Sequence, residues 1–507
     1  MGVGNLQVPR AHPLRVVMIS AEVESLARTG GLGDVVESLS LALAELGLDV
    51  LVVTPLYGVT RVPNVTSRWP DPVEARWGWG PEDVVSLGIV ELQPVRFASG
   101  GVRRVCLLDE SALFGRSGIY GDAHGTFGDN ALRFAVMSRG ALEVAERVWP
   151  GGPDVIHAHD WHATFAVLYA RLVMGEQWAS TPSVLTIHNL QFQGVLDERD
   201  VDRLHLPREA VRPEVLWHEG HINLMKGATA HADRLTTVSP TYAREILGPE
   251  AGFGLDEHLL AHAAKLVGIL NGIDLVRWDP RTDSAIVARF DEQSASTQRL
   301  VNKAALATEL GLEAGDGPLF GLVARLSWQK GIDLVVPILP ELVARGARVV
   351  VVGQGDAEYE TQLLYLARSY RGRIGVRIAF DPALARRIYA GVDFFLAPSR
   401  FEPCGLTQMY AMRYGALPIV TDVGGLHDTV VPIQWGADRE TGTGFVTSRV
   451  SVDALFDACL AAMRIGADRA TLERASIRAM RHSTRFGWPS SAASYRVLFE
   501  SVVPARG

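Results

Sequence analysis

"ARTGGLGDVVESLSLALAELG", Ala27–Gly47, lies between two apolar runs, "RVVMIS" (Arg15–Ser20) and "DVLVVTP" (Asp49–Pro55). Short apolar runs rich in β-branched residues read as buried strands. Between them, Val35, Val36, Leu39, Leu43 and Leu46 share one face of a helix, and Gly47 follows as its C-cap. The unit is strand, helix, strand, which makes a parallel pair. Gly30, Gly31 and Gly33 fall where the first strand passes into the helix. Glycine there lets backbone N–H groups approach a ligand, and a helix N-terminus favours negative charge. The run is not the G-x-G-x-x-G dinucleotide fingerprint, so a tight turn of an α/β domain explains it equally well.

The same pattern recurs along the chain. In the first half come "RRVCLLD", "DVIHAHD", "SVLTIHN" and "RLTTVSP". In the second half come "LVGILNGID", "PLFGLVARL", "ARVVVVGQGD", "GVRIAF", "FFLAPS" and "LPIVTD". Most end in a polar or glycine-rich cluster, at the edge where open parallel sheets bind ligands. This predicts an α/β fold of two Rossmann-like lobes with a deep interdomain cleft, jointed near Leu266 to Asn271. The charged stretch Asp291 to Leu310 reads as a helix inside the second lobe.

Composition narrows the function classes. The chain has 507 residues, 48% of them hydrophobic, enough for two full cores. Forty-nine basic against 57 acidic residues leave a net charge of −8, which offers nothing to nucleic acid or an anionic membrane. The three cysteines, Cys106, Cys404 and Cys459, are widely spaced and form no metal pattern, as expected of a reducing compartment. No signal-peptide core and no membrane-length apolar run is present, so a soluble cytoplasmic protein is expected.

The ordered set "RTGGLGDV", "HAHDWH", "TIHNLQFQG", "VSPTYAREI", "LNGID", "ARLSWQKGIDL", "SRFEPCGLTQMYAMRYGALPIVTDVGGLHDTV" and "RFGWPSSAASY" resembles the bacterial glycogen synthase and plant starch synthase family, the ADP-glucose type. The resemblance runs from about Leu14 to Phe499. It implies the GT-B fold, a retaining mechanism, no metal ion or other cofactor, ADP-glucose as donor and an α-1,4-glucan such as glycogen as acceptor. It also implies a division into an N-terminal catalytic and acceptor lobe (14–265), a C-terminal nucleotide-sugar lobe (266–480) and a final segment (481–507) that crosses back onto the first lobe. The oligomeric state stays open.

The motifs have a chemical reading beside this one. Releasing ADP without a metal requires cations and backbone donors at the diphosphate. Arg325 and Lys330 suit phosphate, one as a planar fork and one as a point charge. By charge alone an ordinary solvated basic pair is the favoured reading; the resemblance makes them the diphosphate clamp. Glu402 follows the strand "FFLAPS" and precedes a helix, with the N–H groups of Cys404, Gly405, Leu406 and Thr407 near the helix start. The resemblance gives Glu402 a role at the donor glucose and the "CGLT" backbone a role at the nucleotide, with Cys404 partly exposed. Read alone, Glu402 is a helix-dipole partner and Cys404 a small buried residue.

His157 and His159 share a strand face, which invites a metal reading, but no third ligand has a clear spacing. By resemblance, Asp160 lies at the sugar site, and His188 lies close to the anomeric carbon with Asn189 beside it. A core histidine at a strand end is the alternative for His188. Asn271 of "LNGID" joins the donor set by resemblance. Phe380 takes the place where the family commonly stacks a tyrosine on the base, although it also reads as the end of a core strand. Arg28 replaces the usual family lysine. Charge is kept and diphosphate contact remains expected, but Arg and Lys are not interchangeable at a tight site. Asp34 closes the motif, either near the nucleotide ribose by resemblance or as a helix cap. A binding homologue without turnover is the competing class, and Arg28 is its only hint.

Overall fold

The computed structural model describes residues 12–62, 65–433 and 441–504. The chain divides into two compact units. The first runs to Val238, includes Ala243–Ile269 and resumes at Trp488, whereas the second takes Ser239–Tyr242 and Leu270–Gly487.

Seven parallel strands form the centre of the first unit: β1 (Arg15–Ile19), β2 (Asp49–Pro55), β3 (Val102–Asp109), β4 (Val155–His159), β5 (Ser183–Ile187), β6 (Arg234–Thr237) and β7 (Leu266–Gly268). Their order is β7-β6-β5-β4-β1-β2-β3, and the antiparallel Val84–Leu92 and Val65–Arg68 strands extend the sheet beyond β3. Helix α1 (Gly31–Glu45) joins β1 to β2, and α2 (Asn130–Val148) precedes β4. The chain moves outward from β1 in opposite directions, so β1 borders the switch point where such sheets open a crevice. Val35, Val36, Leu39 and Leu43 of α1 share a buried cluster with Val16, Val50 and Val52 of the strands. Trp488, Ala492, Tyr495 and Phe499 of the final helix, Trp488–Val502, belong to the same cluster.

One strand differs from the sequence reading. "LVGILNGID" was expected to open the second half, yet β7 pairs with β6, Leu235 facing Leu266 and Thr237 facing Gly268. Three residues at a sheet edge, one of them the exposed Val267, carry no information about which sheet they complete. The added antiparallel strands were also not read, because the buried positions of Val84–Leu92 are interspersed with half-exposed ones.

The second unit holds β8 (Leu319–Val323), β9 (Arg348–Gly353), β10 (Ile374–Ile378), β11 (Phe394–Ala397), β12 (Leu417–Thr421) and β13 (Phe445–Thr447). The order β10-β9-β8-β11-β12-β13 is parallel throughout, with the reversal at β8. The expected helix is present as Ala295–Glu309. α3 (Thr407–Arg413) leads from the loop after β11 toward β12. Among the described residues no helix is long and apolar enough to cross a membrane.

Candidate active site

In the first unit the ends of β1, β4 and β5 lie side by side, because β4 pairs with both of the others. The next residues of each strand therefore converge. Asp160, directly after β4, has φ 57° and ψ −177°, a conformation that side chains rarely adopt. Its Oδ1 accepts the N–H groups of His188 (2.7 Å) and Asn189 (3.4 Å) just past β5. Burial pushes the Asp160 carboxyl up to about 7; those two N–H groups oppose the shift and the nearby Glu22 adds to it. His188 Nε2 lies 3.0 Å from His159 Nδ1, and His157 Nε2 lies 2.7 Å from the Thr186 hydroxyl. Desolvation pulls His157, His162 and His188 down to about 3, so these rings are neutral at pH 7. A neutral imidazole at His188 suits hydrogen bonding to a sugar hydroxyl. Among the described residues, no group of three or more His, Cys, Asp or Glu side chains is placed to hold a metal ion.

The glycine-rich turn is fastened from beneath. Glu22, almost fully buried, accepts the N–H groups of Thr29 (2.7 Å) and Gly30 (3.1 Å), the Thr29 hydroxyl (2.9 Å) and the Tyr120 hydroxyl (2.6 Å). The Gly30 N–H is thus already occupied. Gly31 opens α1 and is exposed. Gly33 packs so closely that a Cβ there would lie 3.0 Å from Arg28 Cβ and 3.1 Å from the Glu24 nitrogen. Arg28 Nη1 donates to Glu24 (2.8 Å) and Asp34 (2.9 Å). Asp34 is therefore an ion-pair partner of Arg28, in addition to lying in the first turn of α1.

Beside these groups, Trp161, Gln191, Phe192, Gln193, Gly194, Val195 and Phe253 line an open recess of roughly 610 Å³. Its aromatic walls are of the kind on which sugar rings stack.

In the second unit, β8 and β11 are neighbours, so the loops after them meet. Lys330 Nζ lies 2.5 Å from Glu402 Oε2, and the Ser399 hydroxyl donates to the same oxygen at 2.7 Å. Arg325 is exposed and has no ion-pair partner among the described residues. The N–H groups of Gly405, Leu406 and Thr407, at the start of α3, donate to no acceptor among the described residues. Phe380 follows β10 and is 73% exposed, which leaves its ring face open.

Cys404 departs from expectation. It is 5% exposed, not partly exposed, because the chain at Gly425 closes over it; a Cβ on Gly425 would lie 2.1 Å from the Cys404 carbonyl oxygen. Burial pushes the thiol up to about 12, against hydrogen bonds from Asn271. Asn271 is itself buried, and its Oδ1 has no partner among the described residues.

The structure thus gathers Asp160, His188 and Asn189 at one sheet edge, with Arg28 and Gly30 on the β1–α1 turn and Gly31 and Asp34 in the first turn of α1. It gathers Lys330 and Glu402 at the other sheet, with Asn271 against Cys404. Glu22, Tyr120 and Ser399 were missed by sequence reasoning. An acid between a strand and a glycine-rich turn is a signal for Glu22. Nothing in the sequence links it to Tyr120, 98 residues on.

The starch synthase catalytic domain family matches residues 15–261, and the family of group 1 glycosyl transferases matches residues 317–464. Glycogen synthase 2 of Agrobacterium fabrum is 41% identical over 97% of this chain and 93% of its own length. A glycogen synthase of Myxococcus xanthus is 40% identical over 97% of this chain and all of its own. The chain belongs to the glycogen and starch synthase family. Among solved structures, the catalytic domain of starch synthase IV from Arabidopsis thaliana, bound to ADP and acarbose, superposes with a TM-score of 0.85. It is 31% identical and covers 97% of this chain and 99% of its own. The two parallel-sheet units are the GT-B fold of that family.

Proposed function

We propose that this protein transfers glucose from ADP-glucose to the non-reducing end of an α-1,4-glucan, with retention at the anomeric carbon. The observation that carries the reading is the Lys330–Ser399–Glu402 cluster, built at the C-terminal ends of two adjacent parallel strands. In the reaction C1 of the glucose leaves the β-phosphate oxygen and joins O4 of the terminal acceptor glucose. The acceptor hydroxyl passes its proton to the departing β-phosphate oxygen, and ADP leaves. Arg325 and Lys330 offset the charge growing on the diphosphate, helped by the open N–H groups of Gly405, Leu406 and Thr407. Phe380 stacks on the adenine, and Asn271 and Cys404 shape the wall beside the donor. Asp160, His188 and Asn189 hold sugar hydroxyls, Glu402 bears on the donor glucose, and the aromatic recess carries the glucan. Arg28 and Asp34 act at the β1–α1 turn toward the nucleotide side. We assign the activity to the cytoplasm, in keeping with three buried free thiols.

The test is ADP release from ADP-glucose with glycogen as primer, against UDP-glucose as alternative donor, with and without EDTA. Transfer from ADP-glucose that persists in EDTA is expected. No transfer from either donor leaves only a binding homologue. Loss on chelation with rescue by a divalent ion overturns the cationic clamp.

A further inference from the structure

Arg133 is the most buried charge of the first unit, at 0% exposure, and it forms no ion pair among the described residues. Removing a guanidinium from water without a carboxylate partner is costly, so its retention calls for a task only a guanidinium can perform. Its donors show the task. Nε donates to the Leu113 carbonyl at 2.7 Å, and Nη1 to the Ile119 carbonyl at 2.8 Å and the Asn130 Oδ1 at 2.6 Å. The rings of Tyr57, Phe114, Phe127 and Phe134 surround the charge, with centroids 5.0 to 5.8 Å from its carbon.

All three acceptors belong to the segment that begins near Leu113 and ends at the first residue of α2. That segment has little regular structure, only the end of the short Ser111–Phe114 helix and a short hairpin of Gly121–Asp122 with Gly125–Thr126. Its other ties converge on Tyr120. The Asn130 amide and the Phe127 N–H both donate to the Tyr120 carbonyl, at 2.8 and 3.0 Å. The Tyr120 hydroxyl reaches Glu22, its ring stacks on His162 at 4.7 Å, and Glu22 holds the N–H groups of Thr29 and Gly30. A continuous chain of contacts runs from Arg133 through Tyr120 and Glu22 to the glycine-rich turn.

We propose that Arg133 is a positioning residue for glucosyl transfer. It locks the 113–129 segment so that Tyr120 sets Glu22, and through it the turn after β1, in working geometry. This rests on the proposed transferase reading. A lysine cannot replace the fork, because an ammonium cannot direct fixed planar donors at Leu113, Ile119 and Asn130 together. An apolar residue of similar length fills the space and removes the burial cost of the charge, but it leaves the Leu113, Ile119 and Asn130 oxygens without this donor and so loosens the segment.

The experiment compares wild type with Arg133→Met and Arg133→Lys, using thermal unfolding, hydrogen exchange of the 113–129 amides, and kcat and KM with ADP-glucose and glycogen. Arg133→Met is expected to stay folded, lose amide protection in 113–129 but not in the later turns of α2, and lose roughly tenfold to hundredfold in kcat. Tyr120→Phe should then add little to Arg133→Met, since both break one chain of contacts. If Arg133→Met does not fold, Arg133→Lys carries the same readouts. Unchanged kcat in a folded variant overturns the proposal, whether or not exchange rises. So does full additivity with Tyr120→Phe. A wild type that transfers no glucose would defeat the functional reading instead, while the exchange data would still report on the segment.

Discussion

At the scale of single residues, Arg28 stands where the sequence resemblance expects a lysine, and the structure gives it two carboxylates. Glu24 and Asp34 both lie within 3 Å of its Nη1. A guanidinium can serve both and still present further N–H groups, whereas an ammonium is a single point charge. Arg28→Ala leaves two acids facing each other beside a turn that we assign to a diphosphate. We expect kcat/KM for ADP-glucose to fall clearly in Arg28→Ala, and to stay within about tenfold of wild type in Arg28→Lys, where charge is kept. Equal activity in wild type and Arg28→Ala would reduce Arg28 to a surface cation.

The buried titrating groups make stability depend on pH in opposing ways. His157, His162 and His188 have folded values near 3 against an ordinary 6.5, so the unfolded chain binds more protons between those limits. Their contribution is complete above 6.5 and is lost as pH falls toward 3. Asp160, raised from 3.8 to about 7, has the opposite sign: its contribution is present below 3.8 and is lost as pH rises through 7. Three histidines outweigh one aspartate, so Tm should fall from pH 7 to pH 5. Asp160→Asn removes the opposing group and should steepen that fall. A Tm that is flat over this range would show that the rings are not held neutral by burial.

At the scale of elements, the β1–α1 turn separates two kinds of glycine. A Cβ on Gly30 meets nothing within 4 Å, whereas one on Gly33 presses on Arg28 and the Glu24 backbone. Gly33 is thus explained by packing between the turn and the helix. Gly30 is not, and under the proposed transferase reading the open space beside it is left for the donor. Gly30→Ala should leave Tm nearly unchanged, within about 0.5 kcal/mol of stability, and raise KM for ADP-glucose. Gly33→Ala should lower Tm by the equivalent of roughly 1–3 kcal/mol, since the Glu24 backbone cannot yield freely. An unchanged KM in Gly30→Ala would make that glycine incidental.

At the scale of the molecule, the first unit is completed by residues at the far end of the chain. Trp488, Tyr495, Leu498 and Phe499 are buried in the cluster that holds α1 and the strands. Each such side chain contributes about 1.5–3 kcal/mol when fully buried, so together they rival the whole stability of an ordinary domain, about 5–15 kcal/mol. Truncation after Gly487 should leave the first unit unfolded or aggregated. A soluble truncated chain with native hydrogen exchange in α1 would contradict this.

The sequence carries the fold class, the positions of most parallel strands, the βαβ unit around Ala27–Gly47 and the family. These are local or ordered signals, carried by periodicity along one segment and by motifs in fixed succession. It named Glu402 and Lys330, whose encounter follows from strand order. It also named Asp160 and His188, brought together because β4 and β5 pair. The rest depends on contacts between segments far apart along the chain. Whether Cys404 is covered depends on Gly425, whether Arg28 points to a ligand or to acids depends on Glu24 and Asp34, and β7 joins the first sheet by pairing alone. Glu22, Tyr120 and Arg133 form one network across more than a hundred residues. No pattern along the chain encodes such contacts, because burial and hydrogen-bond partnership are set by which distant segments the folded backbone brings within 3 Å.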